Sequence, residues 1–594
     1  MIGGGDPLSL EGRLGEIGVV VLAVLLAVGG LVWAAGELAG LLAHHAWPPL
    51  RLADAPGMAI ALLQHPGDPA VGWPPAARAL APPAWLDWGV LALLVAGALA
   101  GGLALLTHRL RAPDDLRGGL GGVDASLRQR PNGRWQERPF LGWVGWGPLA
   151  RMVMGTPEDC VAVVGPPRVG KTQGVLIPQL LLWGGPAVSA STKPDVLGAT
   201  LARRRELAAA HGGRVLLWAP TAPGGPPPGV EAVGWSPLAG CELSETCERR
   251  VRALVGASNT GVGARNANHW RENAIRLLRG YFHAAALDGQ GIRTVLRWLG
   301  RNDLREPAVV LRGADSLVAE VWADELEGME RVPPEELGSI FSAARTAMGS
   351  LQNGRVLASC DDLEPLDVDR FLETRSTLYL IAPTADQELL APLAAALVEH
   401  LVQRSYERWE QGTLPARLLL NLDELVNITP IPTLLKILTQ GASQGVNLTW
   451  AVQSLAQFRD RYGAQVAEAA FSSSRARLVF GGLMDARDLE AISQLAGEHE
   501  VPSRSLTWGV GSRPESVTAG TIWRPRLPVA AIRGIPPGRA MLLYHTSDPA
   551  LVEARLAART GLWRRLAGQG PERRGARRAL GSMIQALPRR QRRG

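Results

Sequence analysis

The sequence predicts an α/β fold with an all-α segment inserted into it and two membrane-length helices ahead of it. Three observations carry this. A glycine-rich loop, Gly165-Pro166-Pro167-Arg168-Val169-Gly170-Lys171-Thr172, follows the apolar run Val161–Val164. A second apolar run, Leu418–Leu422, ends in Asp423-Glu424. Two uncharged stretches, residues 18–36 and 88–107, lie before either of them.

The apolar stretches come first in the chain. Each is long enough to cross a bilayer. The segment between them, residues 43–84, holds only Arg51 and Arg78 as bases, whereas Arg109, Arg111, Arg117, Arg128, Arg130 and Arg134 follow the second stretch. The positive-inside rule then places both termini in the cytoplasm and the Pro-rich connector outside. Gly36-x-x-x-Gly40 and Gly97-x-x-x-Gly101 are spaced for close helix packing. A secretory signal is disfavoured, because Arg13 is the only base before the first stretch and no cleavage site follows it.

The loop at Gly165–Thr172 has phosphate-binding chemistry. Only three of the 62 basic residues are lysine, at positions 171, 193 and 436. A randomly placed lysine would fall in this slot about 5% of the time. The exception has a reason: a compact ammonium reaches the β- and γ-phosphates where a planar guanidinium does not fit. Gly165, Pro166, Pro167, Arg168, Val169 and Gly170 form the loop around the phosphates, with backbone N–H groups from all but the two prolines, Lys171 supplies charge, and Thr172 offers a hydroxyl to Mg²⁺. The positive end of the following helix points at the nucleotide. Pro178 falls inside that helix and predicts a kink or an early end.

Further strands are read at 186–191, 215–218, 376–381 and 446–452, and a helix at 390–409. Residues 243–353 show helical spacing throughout and form the predicted insertion. Asp423 would hold Mg²⁺ at the strand end where open α/β sheets bind ligands, and Glu424 would orient or deprotonate the attacking water. Gln453, at the end of the last of these strands, would bridge the γ-phosphate or the lytic water to its neighbours.

Composition sets outer bounds. A chain of 594 residues exceeds one core and predicts three or four units. Its four cysteines have neither disulfide nor zinc spacing, which favours a reduced compartment. Charge is uneven. From Arg555 onward, twelve arginines against Glu572 give +11, while the whole chain carries +7, leaving −4 for residues 1–554. This excludes a uniformly basic nucleic-acid sleeve. It predicts a near-neutral body with a basic tail that binds nucleic acid or anionic lipid, or serves as a solvated arm. Trp563 is the only aromatic in that tail, so base stacking is weakly supported.

With these residues in place, the chain resembles the type IV coupling proteins, the membrane-anchored ATPases of conjugation and type IV secretion. The resemblance covers roughly residues 15–550. It rests on the two apolar stretches, Gly165–Thr172, Ser191-Thr192-Lys193-Pro194-Asp195, Trp235-Ser236-Pro237-Leu238, His269-Trp270, Asp423-Glu424, Gln453-Ser454-Leu455-Ala456-Gln457 with Tyr462-Gly463, the 472–497 stretch, and Arg524–Pro528. It implies a RecA-like P-loop NTPase domain formed by residues 108–242 and 354–550, with the all-α insertion at 243–353. The membrane anchor would be residues 1–107 and the basic tail 551–594.

The resemblance also implies ATP and Mg²⁺ as cofactors and a homo-hexameric ring at the inner membrane. The implied partners are single- or double-stranded DNA, a relaxase and the channel components of the secretion system. Lys171, Glu424 and Gln453 take the catalytic roles in this reading, and Thr172 and Asp423 the metal. Other readings stay open: a coupling ATPase that recruits protein effectors only, a docking ring that binds nucleotide with little turnover, and a septal chromosome translocase. The last of these usually has more membrane spans and a C-terminal winged domain.

Two positions depart from the family pattern. Many members carry an acid where Ser191 stands, so no metal role is given to it. Many also carry an arginine just before the strand leading to the glutamine, within the region Gly441–Gly445, and this chain has none there. Arg475 or Arg477 would be the substitute acting on a neighbouring subunit's site.

Overall fold

The computed structural model describes residues 10–110, 121–145, 149–260, 266–508 and 514–569. The arginines at 111 and 117 and the last 25 residues of the basic tail lie outside them. The chain forms two compact units, Met1–Ala112 and Pro113–Gly594.

In the first unit, helices span Leu10–His44 and Ala84–Leu110. Among their described residues, Leu26–His44 and Ala84–Gly101 are apolar and long enough to cross a membrane. The connector folds into short helical turns packed around Trp73, with Val32, Leu50, Met58 and Leu62. The glycine pairs do not join the helices. A Cβ at Gly36 would meet Met58 at 2.5 Å, one at Gly40 would overlap Pro48, and Gly97 and Gly101 have nothing within 4 Å. Gly36 and Gly40 make room for the connector instead, and the helices meet through the small residues Ala35 and Ala39 against Val90.

The second unit is built on one mixed sheet of thirteen strands. In chain order its strands are β1 (Arg128–Gln129), β2 (Phe140–Val144), β3 (Arg151–Met154), β4 (Val161–Val164), β5 (Ala187–Ser191), β6 (Val215–Trp218) and β7 (Glu231–Ala232). After a long helical run come β8 (Thr377–Ile381), β9 (Leu418–Leu422), β10 (Val446–Val452) and β11 (Ala476–Phe480). A separate two-stranded hairpin follows, β12 (Glu498–Trp508) with β13 (Pro514–Pro525), and then β14 (Arg539–Tyr544) and β15 (Ala550–Glu553) rejoin the sheet.

The spatial order is β1-β3-β2-β15-β14-β11-β4-β10-β9-β5-β8-β6-β7. From β11 to β7 every pairing is parallel. Helices cover both faces of a parallel sheet, so its strands read as unbroken apolar runs: β4, β5, β8, β9 and β10 are buried at every residue. The other end is antiparallel, with β14 pairing β11 and β15 joining β14 to β2.

Between β7 and β8 the described residues are helical from Ser244 to Glu373, twenty residues beyond the expected boundary at 353. The extra helices, Gly354–Asp361 and Val368–Glu373, lead back into the sheet.

The described residues after β15, 554–569, are not a free arm. The Ala557 N–H donates to the Gln173 carbonyl at 2.8 Å. Gln173 lies in a π-helical turn, Thr172–Leu176, which runs into the short helix Ile177–Leu182. In that register Pro178 would be the donor to Gln173, and proline has no N–H. The expected irregularity at Pro178 therefore takes the form of a π turn whose vacant acceptor is filled by Ala557. Gly174 permits the approach, because a Cβ there would stand 2.7 Å from Ala554. Trp563 is fully buried, edge-on to Phe140 at 5.3 Å and to Trp143 at 5.6 Å. Residues 551–566, assigned to the tail from sequence, belong to the sheet domain.

Candidate nucleotide site

The C-terminal ends of β4, β10 and β9 lie side by side, and each delivers one element of the site. From β4 the chain turns into the phosphate loop. Arg168 and Gly170 have φ of 67° and 105°, the left-handed region that favours glycine. The non-glycine Arg168 is a local strain of the kind found at ligand sites. The Gly165 N–H donates to the Val452 carbonyl at 3.3 Å, and a Cβ at Gly165 would strike Phe480 at 2.6 Å. The loop is thereby seated between β10 and β11.

The Lys171 ammonium is buried and held by the carbonyls of Gly165 and Pro166, the latter at 3.0 Å. Burial lowers its pKa, and Asp423 and Glu424 oppose that shift. The Thr172 hydroxyl donates to both carboxylate oxygens of Asp423, at 2.8 and 3.0 Å, across 251 residues of sequence. The Asp423 backbone is fixed by its N–H to the Ala190 carbonyl, 3.0 Å. Burial, with Glu424 adding repulsion, pushes the Asp423 carboxyl up to about 6 despite the hydrogen bond from Thr172. The hydroxyl and carboxylate are hard oxygen donors held within one hydrogen bond of each other, a donor pair that suits Mg²⁺.

Glu424 begins the turn Leu425–Ile428. The Asn427 amide donates to Glu424 Oε2 at 3.1 Å, and the Gln457 amide donates to Asn427 Oδ1 at 3.0 Å. Glu424, Asn427, Gln453 and Gln457 line one small cavity. This relay fixes the direction of the Glu424 carboxylate. Asn427 escaped the sequence reading because an amide after an acidic pair has no spacing signature of its own. Gln457 stood in the quoted motif without an assigned task.

Ser191 ends β5, and its hydroxyl accepts the Lys193 N–H at 3.4 Å. Arg475 and Arg477 lie at the start of β11, in register with the start of β4, so both sit at the sheet edge opposite the phosphate loop. Arg477 donates to the Phe471 carbonyl at 2.6 Å, while Arg475 approaches Glu158 at 3.7 Å. A guanidinium does lie against the Gly441–Gly445 turn. Arg417 bonds the Ala442 carbonyl and stacks 4.9 Å from the Trp409 ring centroid.

Residues 136–519 match the family described as Type IV secretory system Conjugative DNA transfer. The chain belongs to this family. It is 24% identical over 359 residues to conjugal transfer protein TraG of Agrobacterium fabrum, covering 58% of this chain and 52% of that protein. For TraG of Escherichia coli the identity is 24% over 341 residues, covering 51% and 49%. The chain thus spans about half the length of the curated relatives it matches.

Among solved structures, the conjugative coupling protein TrwBdeltaN70 aligns with TM-score 0.52 and 19% identity over 75% of this chain and 98% of that one. TrwB in complex with a non-hydrolysable ATP analogue gives TM-score 0.53 at 18% identity, over 75% and 96%. TrwB in complex with ADP and Mg²⁺ gives 0.52 at 19%, over 75% and 99%. At these identities the likeness is one of fold: a mixed sheet with helices, as in TrwB.

Proposed function

We propose that this protein is a membrane-anchored coupling ATPase that recruits a relaxase–DNA substrate and drives its transfer into a type IV secretion channel by ATP hydrolysis. The observation that carries the ATPase reading is the Thr172–Asp423 contact, which joins two motifs far apart in sequence at the end of one sheet. TrwB's complexes with an ATP analogue and with ADP and Mg²⁺ support ATP and Mg²⁺ here. Thr172 and Asp423 would hold the metal, whose contribution when bound is to offset phosphate charge. Lys171 and the loop amides orient the phosphates. Glu424, aimed by Asn427, accepts a proton from the attacking water, and Gln453 positions that water from the neighbouring strand.

The two apolar helices of the first unit would anchor the protein in the inner membrane with the sheet domain in the cytoplasm. Residues 243–353 are proposed as the substrate-recruiting insertion. Residues 570–594, which carry eight arginines against one glutamate, are proposed as the DNA-facing tail. A homo-hexamer completes the reading. Arg417, Arg475 and Arg477 are its candidates for an arginine that acts on the neighbouring subunit.

The test is ATP hydrolysis by the full chain in detergent, with and without single-stranded DNA. Lys171→Ala and Glu424→Gln should each lower kcat by about 10²–10³-fold, and Glu424→Gln should still bind nucleotide. Binding without turnover in the unsubstituted protein would favour a docking ring, the reading suggested by the absent arginine at Gly441–Gly445. Turnover that copurified protein effectors stimulate and DNA does not would favour an effector-only coupling ATPase.

A further inference from the structure

A second cavity, about 400 Å³, shares no lining residue with the cavity at Glu424 and lies where the first helix of the helical run, Ser244–Ala257, meets helix Gln387–Glu410 and residues 432–437. Its size lies within the range of small-molecule sites, about 300–1,000 Å³. Two buried polar groups on its wall are without hydrogen-bond partners: Arg250 Nη1 and Tyr406 Oη. Arg250 is only 4% exposed, and its guanidinium lies 4.8 Å from the centroid of the Trp235 ring.

The carboxylates nearby are already engaged, Glu399 by Thr433 at contact distance and by the charges of Arg250 and Lys436 through space. Glu399 accepts from the Thr433 backbone N–H at 3.0 Å and its hydroxyl at 2.7 Å. Glu407 is engaged by Arg404 at 2.9 Å and approached by Arg249 at 3.8 Å. Arg252 pairs with Glu248 and Glu272 on the far side. Among the described residues, Arg250 and Lys436 are the two cations on the wall with no ion pair at contact distance. Lys436 is one of the three lysines in the chain.

His400 adds a donor. Its Nδ1 accepts from Trp235 Nε1 at 3.2 Å, and burial beside Arg250 holds its pKa down at about 3. The ring is therefore neutral, with the proton assigned to Nε2.

We propose that this cavity is a binding site for a small dianionic molecule, its phosphoryl or carboxylate group held by Arg250 and Lys436 and its apolar body lying against the aliphatic wall. A buried guanidinium opposes folding unless something satisfies it, and an anion with a planar pair of oxygens matches its fork. Trp235 keeps the guanidinium in place from behind by cation–π contact. The phosphate loop is a separate anion site, so the test must first fill it.

The experiment is isothermal titration of the full chain, saturated with MgADP, with phenyl phosphate and separately with phthalate, both dianions with an apolar ring. The expected result is saturable binding of at least one probe, one per chain, weakened at least tenfold in both Arg250→Met and Lys436→Met. Which probe binds tells phosphoryl from carboxylate chemistry. Without probe, Arg250→Met should melt higher than the unsubstituted protein. Absence of saturable binding at millimolar concentration overturns the proposal, as does binding that both variants leave unchanged. Should Arg250→Met fail to fold by circular dichroism, Lys436→Met decides alone, because its side chain is exposed at the rim and folding does not depend on it.

Discussion

Two arginines are buried in the same domain and treated in opposite ways. Arg204, fully buried between the sheet and helix Asp195–Ala210, spends its whole fork: Nε to the Thr377 hydroxyl at 2.7 Å, Nη2 to the Gly185 carbonyl at 2.8 Å, and Nη1 to the Trp183 carbonyl. Arg250, nearly as buried, makes no hydrogen bond among the described residues and rests on one aromatic face. Desolvation opposes both. In the first case the protein supplies the acceptors and the arginine is structural, fastening three segments. In the second the acceptors are left out. Burial alone therefore does not tell a structural charge from a binding one; the number of partners does.

The contrast is broken or sharpened by substitution, beginning with the largest effect. Arg204→Met strands two buried carbonyls and a hydroxyl, and should lower stability by about 3 kcal/mol or more, read as a shift in denaturant midpoint. Gly174→Val tests a partnered backbone contact rather than a partnered charge. Its side chain would collide with Ala554, and a loss of about 1–3 kcal/mol should come with weakened nucleotide binding, since Gly174 is two residues past Thr172.

Next is a polar relay that is partnered for chemistry. Asn427→Ala should lower kcat by about tenfold, roughly 1.4 kcal/mol, with KM and the melting temperature nearly unchanged. An unaltered kcat would remove Asn427 from the site.

Asp423 gives a pH signature. Its folded pKa is raised to about 6, so the folded protein holds that proton more tightly than the unfolded chain does. The associated stability is present below about pH 4 and lost as pH rises through about 6. Asp423→Asn should therefore raise the melting temperature of the nucleotide-free protein at pH 8 and leave it nearly unchanged at pH 4. The smallest effect is at the unpartnered arginine: Arg250→Met should raise stability by about 1 kcal/mol, opposite in sign to Arg204→Met. A fall comparable to that of Arg204→Met would mean Arg250 is structural after all.

The same contrast explains what could be read from sequence. The parallel strands β4, β5, β6, β8, β9 and β10 stand out as apolar runs because both of their faces are covered. The phosphate loop and Asp423-Glu424 stand out because their chemistry restricts residue type. The antiparallel end was missed. β14 and β15 follow a long hairpin and carry no motif, and Trp563 sits in an arginine-rich stretch whose composition resembles a solvated tail. Asn427 and Arg250 were missed for a shared reason: their roles depend on what surrounds them in space, and an amide or an arginine on a helix has no period or spacing to show it. The glycine pairs misled in the other direction, since spacing that permits helix contact also permits contact with a folded connector.

The hydrogen bond from Ala557 to Gln173 has a consequence for biogenesis. The phosphate loop emerges from the ribosome early, but the segment that fills its helix's vacant acceptor, and the β14–β15 pair that closes that side of the sheet, come almost 400 residues later. At translation rates of about 5–20 residues per second, the loop waits roughly 20–80 s for its final neighbours. Late in that interval, once β11 has been made, it presents an open sheet edge until β14 follows. The nascent chain then carries an unfinished sheet, which makes it a strong client for ribosome-associated chaperones. A ribosome stalled anywhere before Ala550 should leave a protease-sensitive phosphate loop, and one stalled after Leu566 has cleared the exit tunnel a resistant one.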